Sequence, residues 1–253
     1  MDTDQIAAAI LSARARRQPL PPITDSFSMT MRQAYEVQAA VTAHRIAAGQ
    51  KVIGWKLGYT SRAMREQMGI SEMNFGPLTD SMLLANNSQV PATTVQPMVE
   101  PEIAVVLSDA PVPPFTPDAV RAVIKSAHSC LEIVDPIWAG RRFRIEDNTA
   151  DGSSAAFFVL GGEIATRDLP AVEVRLAHDD SFVAAATGEA ADGDPSGGIA
   201  WLAYQLAALG ESLRGGDIVL TGGLTRAVPI DPGHRVSAVF RHDGHTSAVM
   251  VRR

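Results

Sequence analysis

From Lys51 onward the chain is a succession of apolar runs five to seven residues long, separated by Gly, Pro and Asn. VIGWKLG, SMLLA, EIAVVLS, CLEIVD, AAFFVLG, VEVRLAH, DIVLTG, HRVSAVF and SAVMVR follow one another in this way. Runs of that length, bounded by turn formers, are strand signals. Helices are expected between them only at residues 61 to 68, 117 to 129 and 196 to 213. Strands so numerous and so irregularly separated do not fit the strict strand–helix alternation of a Rossmann fold or an α/β barrel. The pattern predicts an α+β fold, a mixed or mainly antiparallel sheet with peripheral helices.

The first fifty residues read differently. Ile6, Ala9, Ile10 and Ala13 recur at helical spacing, with arginines towards the end of the segment. The Pro-rich PLPPITDSFS separates this helix from a second one, MRQAYEVQAAVTAHRIAAG, for which Thr30 is the expected N-cap. Two units are therefore expected, an N-terminal helical region over 1–50 and a catalytic mixed-β domain over 51–253. With 46% apolar and 20% charged residues in 253, the chain can bury a large core. A net charge of -6 and the absence of a dense basic block exclude nucleic acid as a partner. No apolar run approaches the roughly 20 residues of a membrane span. Asp2 and Asp4 stand where a secretory leader would be basic, so a cytoplasmic protein is expected.

Among residues able to do chemistry, Glu100-Pro101-Glu102 opens the apolar run IAVVL. On a strand, residues i and i+2 point to one face, so both carboxylates converge. An isolated Glu-x-Glu is ordinarily a solvent-facing strand end. Glu132, set within Leu131, Ile133 and Val134, argues otherwise, because an ionised side chain buried alone costs several kcal/mol. A divalent cation would compensate all three charges, and an all-oxygen donor set suits Mg²⁺ or Mn²⁺. Lys56 shares a strand face with Gly54 and Gly58, which would leave space for a ligand; the alternative is a lysine snorkelling from a strand edge. Asp80, the polar loop DNTADGSS (147 to 154) and the glycines of TGGLT (221 to 225) are weaker signals, since such residues populate ordinary turns. Cys130 sits in an apolar run, as a core cysteine does, and His242 and His245 flank a turn, RHDGH.

In their order, MTMRQAYEVQ, GWKLGYTSRAMREQMGI, FGPLTD, VEPEIAVVL, CLEIVD, TADGSSAAFFVLGG, GDPSGGIAWLAYQLAALGESLRGGDIVLTGGLTRAVPI and PGHRV make the chain similar to a known group from about residue 29 to 240. It resembles the hydratase and decarboxylase branch of the fumarylacetoacetate hydrolase superfamily, enzymes of meta-cleavage aromatic catabolism. The resemblance implies a rolled mixed-sheet core of the fumarylacetoacetase C-terminal-like type. It also implies a Mg²⁺ or Mn²⁺ site on Glu100, Glu102 and Glu132, an active-site lysine at Lys56 and an acidic catalytic residue at Asp80. Gly58, Asp151, Ser154 and Thr225 fall on stretches implied to bind substrate. Two departures bear on the pocket: Gly152 replaces the usual Asn of its loop, and Asp194 stands where the family often has His before proline.

The activity implied is that of a metal-dependent lyase acting on a short 2-oxo or 2-hydroxy unsaturated acid. TGGLTRAVPI leans towards decarboxylation of a 2-oxo-3-enedioate, with Arg141, Arg142, Arg144 or Arg226 available for a second carboxylate. The alternative is a hydratase of 2-hydroxypenta-2,4-dienoate or a related dienoate. Acylpyruvate hydrolysis would need a general base for water, and no His-Glu pair declares itself. A homo-oligomer, a complex with a sister hydratase or decarboxylase, and a non-catalytic partner subunit of such a complex are further expectations.

Overall fold

The computed structural model describes residues 2–62, 65–66 and 69–253. Helices α1 (Thr3–Arg16) and α2 (Met31–Ala47) precede the strands. Each begins with a reciprocal cap: Asp2 with Gln5, and Thr30 with Gln33, satisfy orphan N–H groups at the first turn. The strands are β1 (Val52–Gly58), β2 (Asn74–Thr79), β3 (Leu83–Leu84), β4 (Met98–Leu107), β5 (Ile124–Val134) and β6 (Ala155–Ile164), then β7 (Glu173–His178), β8 (Ser181–Thr187), β9 (Ile218–Leu220), β10 (Val228–Pro229), β11 (Arg235–His242) and β12 (His245–Arg252). Between them lie α3 (Pro117–Arg121), α4 (Ile145–Ala150) and α5 (Pro195–Ala208).

One sheet runs β2-β1-β9-β4-β5-β6-β3, with β10 also on β4; the other runs β12-β11-β7-β8. The β1–β9 and β3–β6 pairs are parallel and the remaining pairs antiparallel, the mixed sheet expected. The main core unites both sheets with α5 through Leu57, Ile103, Leu131, Val159, Leu202 and Phe240. A second cluster holds Ile6, Ile10, Val37 and Val41 of the N-terminal helices together with Ile137, Trp138 and Ala150. The helical region therefore packs directly on the body that carries the sheet.

Several elements differ from expectation. The helix expected over 117 to 129 stops at Arg121, and Ile124–Val134 is a strand. Val123 and Ile124 are β-branched and stiff in a helix, and burial alternates between Ala127 and Ser129 as on a pleated surface. The helix expected over 196 to 213 ends at Ala208. Of the stretch 61 to 68, Arg62, Arg65 and Glu66 are helical, while 63, 64, 67 and 68 lie outside the described residues. β2, β8 and β10 escape the sequence reading. NFGPLT looks like a turn because of Gly76 and Pro77, but β2 is an edge strand, where proline's missing donor costs little.

The two halves are locked by charge. Arg14 of α1 donates from Nε (3.2 Å) and Nη2 (2.6 Å) to Asp151 Oδ1, and Asp151 Oδ2 accepts from the Ile137 N–H at 3.0 Å. Arg14 also lies 3.7 Å from Asp135, just past the end of β5. The Asp151 carboxylate is fully buried. Replacing the cation would strand that charge, so Arg14→Met should lower the free energy of urea unfolding by about 3 kcal/mol or more. A loss below about 1 kcal/mol would show that Arg14 is only a surface charge.

Candidate metal-binding active site

The site begins with strand register. Glu100 on β4 stands directly opposite Glu132 on β5, and Glu102 opposite Cys130. Opposed like charges destabilise a strand pair. Here the three carboxylates nonetheless converge, with ligand oxygens all within 4.8 Å of one another. Glu102 and Glu132 are fully buried, and Glu100 keeps part of its surface in solvent.

Lys56 answers this charge. Its ammonium lies 3.0 Å from Glu132 Oε2 and donates to the Ser153 carbonyl at 3.2 Å. β1 is three strand spacings from β5, about 14 Å across a flat sheet. Direct contact between their side chains therefore requires the sheet to roll. β9 assists by ending at Leu220, opposite Lys56, after which the chain turns over the carboxylates. The Gly222 N–H donates to Glu102 Oε2 at 2.7 Å. A Cβ at Gly223 would lie 2.4 Å from Glu100 Oε2, so any larger residue there would displace the Glu100 carboxylate from its present position.

Burial by itself would pull the Lys56 pKa down; the neighbouring glutamates, Glu132 foremost, outweigh it and hold the ammonium above its ordinary value. Burial pushes Glu100 up to about 7 against the opposing charge of Lys56, and drives Glu102 well above the carboxylate range, reinforced by Glu132 and Glu100. Tyr59, at the end of β1 with a positive φ of 56°, has its hydroxyl pKa pushed up to about 12 by burial. Cys130 is fully buried, its thiol pushed up by that burial, which fits a core residue rather than a nucleophile.

The structure brings Lys56, Glu100, Glu102 and Glu132 together, and separates other candidates from them. Asp80 is exposed, and its Oδ1 accepts from Lys51 N (3.0 Å) and Ser81 N (2.9 Å). Lys51 precedes Lys56 by five residues, about 15 Å along a strand, so the carboxylate of Asp80 closes a turn at the far end of β2. Asp151 is committed to Arg14. The space expected at Gly58 is filled: a Cβ there would meet Asn74 Oδ1 at 2.1 Å and Ser153 Oγ at 2.5 Å, as one at Gly54 would meet the Ile218 carbonyl at 1.9 Å. Ser154 accepts from Asn148 Nδ2 at 2.8 Å, and Thr225, half-exposed, donates to the Arg226 carbonyl at 3.2 Å. Arg141, Arg142, Arg144 and Arg226 are all exposed, and Arg226 follows the loop that covers Glu100.

The sequence points to the 147 to 154 loop without distinguishing Ser153 within it, and gives no sign of Asn74. Ser153 donates to Asn74 Oδ1 (3.0 Å), while Asn74 donates to Asn148 and Thr149 (2.9 Å each). This buried chain fixes the carbonyl that receives Lys56. Gly152, Ser153 and Ser154 all have positive φ, at 72°, 55° and 58°. Asn and Gly both tolerate that conformation, so Gly152 keeps the backbone while removing a side chain. Asp194 caps α5 through Ser196 N (2.8 Å) and pairs with Arg121 at 2.6 Å.

Glu102 Oε1 and Glu132 Oε1 are buried and accept no hydrogen bond among the described residues. Unsatisfied carboxylate oxygens in an all-oxygen cluster fit a hard divalent cation such as Mg²⁺ or Mn²⁺. Rolled sheet and carboxylate cluster together define a class: an enzyme-like fold with an oxygen-donor metal site beside a buried lysine.

The chain belongs to the fumarylacetoacetate (FAA) hydrolase C-terminal family, which matches residues 51–250. It is 33% identical to a 2-hydroxyhexa-2,4-dienoate hydratase of Comamonas testosteroni, covering 94% of this chain and 92% of the relative. It is 31% identical to a 4-oxalocrotonate decarboxylase of Pseudomonas sp, over 98% and 97% of the two chains. A solved structure of 4-oxalocrotonate decarboxylase from Pseudomonas putida G7, complexed with magnesium and adipate, superimposes with a TM-score of 0.93 at 29% identity, covering 99% of this chain and 96% of that one.

A cation can enter only as these carboxylates shed protons. With burial raising Glu100 to about 7 and Glu102 well above its ordinary range, Mg²⁺ binding should release protons and weaken as pH falls from 8 to 6. Calorimetry at pH 7 in two buffers of different ionisation enthalpy should give different heats. Equal heats and a pH-independent Kd would contradict the protonation of the empty cluster.

Proposed function

We propose that the protein is a divalent-metal-dependent lyase acting on a short 2-oxo or 2-hydroxy unsaturated acid, with decarboxylation of a 2-oxo-3-enedioate as the main reading. The observation that carries it is the convergence of Glu100, Glu102 and Glu132 on one spot within reach of Lys56. Those glutamates would hold Mg²⁺ or Mn²⁺, which would supply Lewis acidity to the enolate that develops in the reaction. The metal-bound relatives support that cofactor, and the fully buried carboxylates argue against a purely non-catalytic scaffold.

The chain's own groups do the rest. Lys56 donates one N–H to the Ser153 carbonyl and pairs by charge with Glu132, and a further N–H would meet a substrate oxygen. In a 2-oxohex-3-enedioate, the C5–C6 bond breaks, the distal carboxylate leaves as CO₂, and the electron pair passes through the conjugated system to the C2 oxygen. Lys56 stabilises that oxygen with its charge and a hydrogen bond, and a proton from water completes the dienol. The Lys56 pKa, held high by the glutamates, suits a fixed charge partner and hydrogen-bond donor rather than a group that gives up or takes a proton. The Gly222–Gly223 loop closes over the carboxylates and limits water. Arg226, at the rim of that loop, would bind the distal carboxylate.

A hydratase of 2-hydroxypenta-2,4-dienoate is the second reading, favoured by the dienoate hydratase similarity. We read residues 1–50 as a helical arm on a catalytic unit of 51–253, acting in the cytoplasm as a homo-oligomer, with a sister-enzyme complex as a further option. Among the described residues no helix is long and apolar enough to cross a membrane.

Purified protein with Mg²⁺ should release CO₂ from 2-oxohex-3-enedioate. EDTA should abolish the activity, and Lys56→Met should reduce kcat by about 10² to 10⁴. Arg226→Gln should raise KM for the diacid and leave turnover of 2-hydroxypenta-2,4-dienoate, where measurable, unchanged. Dienoate consumption without CO₂ release would establish the hydratase, and inactivity on both would refute the lyase reading.

A further inference from the structure

We propose that His178, Asp179 and His234 form a second cation site, chemically distinct from the glutamate cluster and suited to a borderline transition metal such as Zn²⁺ or Co²⁺. These residues are 55 positions apart across the chain, from Asp179 to His234, and strand pairing unites them. His178 ends β7 and pairs in register with Val236 of β11; His234 lies two residues before Val236. Asp179 begins the tight β7–β8 turn, where it and Asp180 have φ of 47° and 66°.

Both imidazoles turn Nδ1 to the same oxygen. His178 Nδ1 is 3.3 Å, and His234 Nδ1 2.5 Å, from Asp179 Oδ2, with the two rings 5.2 Å apart. One donor atom from each of the three residues lies within 4.8 Å of the others. Tetrahedral zinc with ligand bonds of about 2.0 to 2.1 Å sets its donors about 3.3 Å apart. The His178–Asp179 separation already has that length, and the His234–Asp179 pair need open by less than about 1 Å.

The carboxylate is also held in place. Asp179 Oδ1 accepts from the Arg235 N–H at 2.9 Å, which leaves Oδ2 facing the imidazoles, and the Asp179 N–H donates to the Arg235 carbonyl at 3.0 Å. Such a hydrogen bond to a ligand's second oxygen is the usual support of a metal-bound carboxylate. Of the arginines that line the same cavity, Arg235, Arg252 and Arg253, the Arg235 guanidinium is engaged by Asp180. Two imidazoles and one carboxylate, with open positions for water, select Zn²⁺ or Co²⁺, whereas three carboxylates select Mg²⁺ or Mn²⁺. The pair His242 and His245 faces across its hairpin turn and contributes no such group among the described residues.

The test is equilibrium dialysis of chelator-stripped protein against Zn²⁺ in millimolar Mg²⁺, with Co²⁺ absorption as the spectroscopic readout. Wild type should bind one equivalent that survives Glu102→Gln. His178→Ala and His234→Ala should each weaken it more than about tenfold, while His245→Ala should not; circular dichroism checks each variant's fold. Absent Zn²⁺ binding, binding unaffected by both histidine substitutions, or binding lost with Glu102→Gln would overturn the proposal.

Discussion

Three carboxylates held on one face of two paired strands are the constraint on which the rest of this structure depends. Glu100 and Glu132 are cross-strand partners, and Glu102 lies fully buried beside them. Left alone, such an arrangement would push the strands apart or force protonation. The fold meets it with one buried ammonium, one backbone N–H and bare glycine backbone. To bring Lys56 from β1 to Glu132 on β5 the sheet must roll, and to let Gly222 and Gly223 cover the cluster β9 must be short.

The supporting layers follow from that need. Lys56 is aimed by the Ser153 carbonyl, and Ser153 by Asn74, Asn148 and Thr149. The same loop is anchored one step further out, where Asp151 takes the guanidinium of Arg14. The helical arm thus reaches the site through two residues of one loop. Gln38 of α2 adds a second tie, donating at 2.8 Å to the carbonyls of both Phe75 and Thr149. A charge mismatch at the centre is stabilised by polar contacts that extend to the first helix.

The central cluster was legible in the sequence because its logic is local. Glu-x-Glu on a strand and a glutamate inside an apolar run both announce buried charge, and the two helices with the Thr30 cap are written in short-range periodicity. Residues whose roles depend on tertiary approach were not legible. Gly58 reads as room for a ligand, yet Asn74 and Ser153 occupy that room; Asp80 and Asp151 read as site acids, yet each closes a structural contact. β2 and β8 are edge strands, whose composition is under weaker constraint than that of central strands. His178 and His234 are adjacent only because β7 and β11 pair, which no spacing rule reveals.

A cation seated among Glu100, Glu102 and Glu132 is what this arrangement of buried charge requires. The most direct measurement is an anomalous difference map from a crystal soaked in Mn²⁺ and recorded at the manganese edge. A peak is expected within about 2.0 to 2.3 Å of one oxygen from each of the three glutamates, with Lys56 still against Glu132. No peak there, in a crystal where Mn²⁺ is seen elsewhere or not at all, would contradict it.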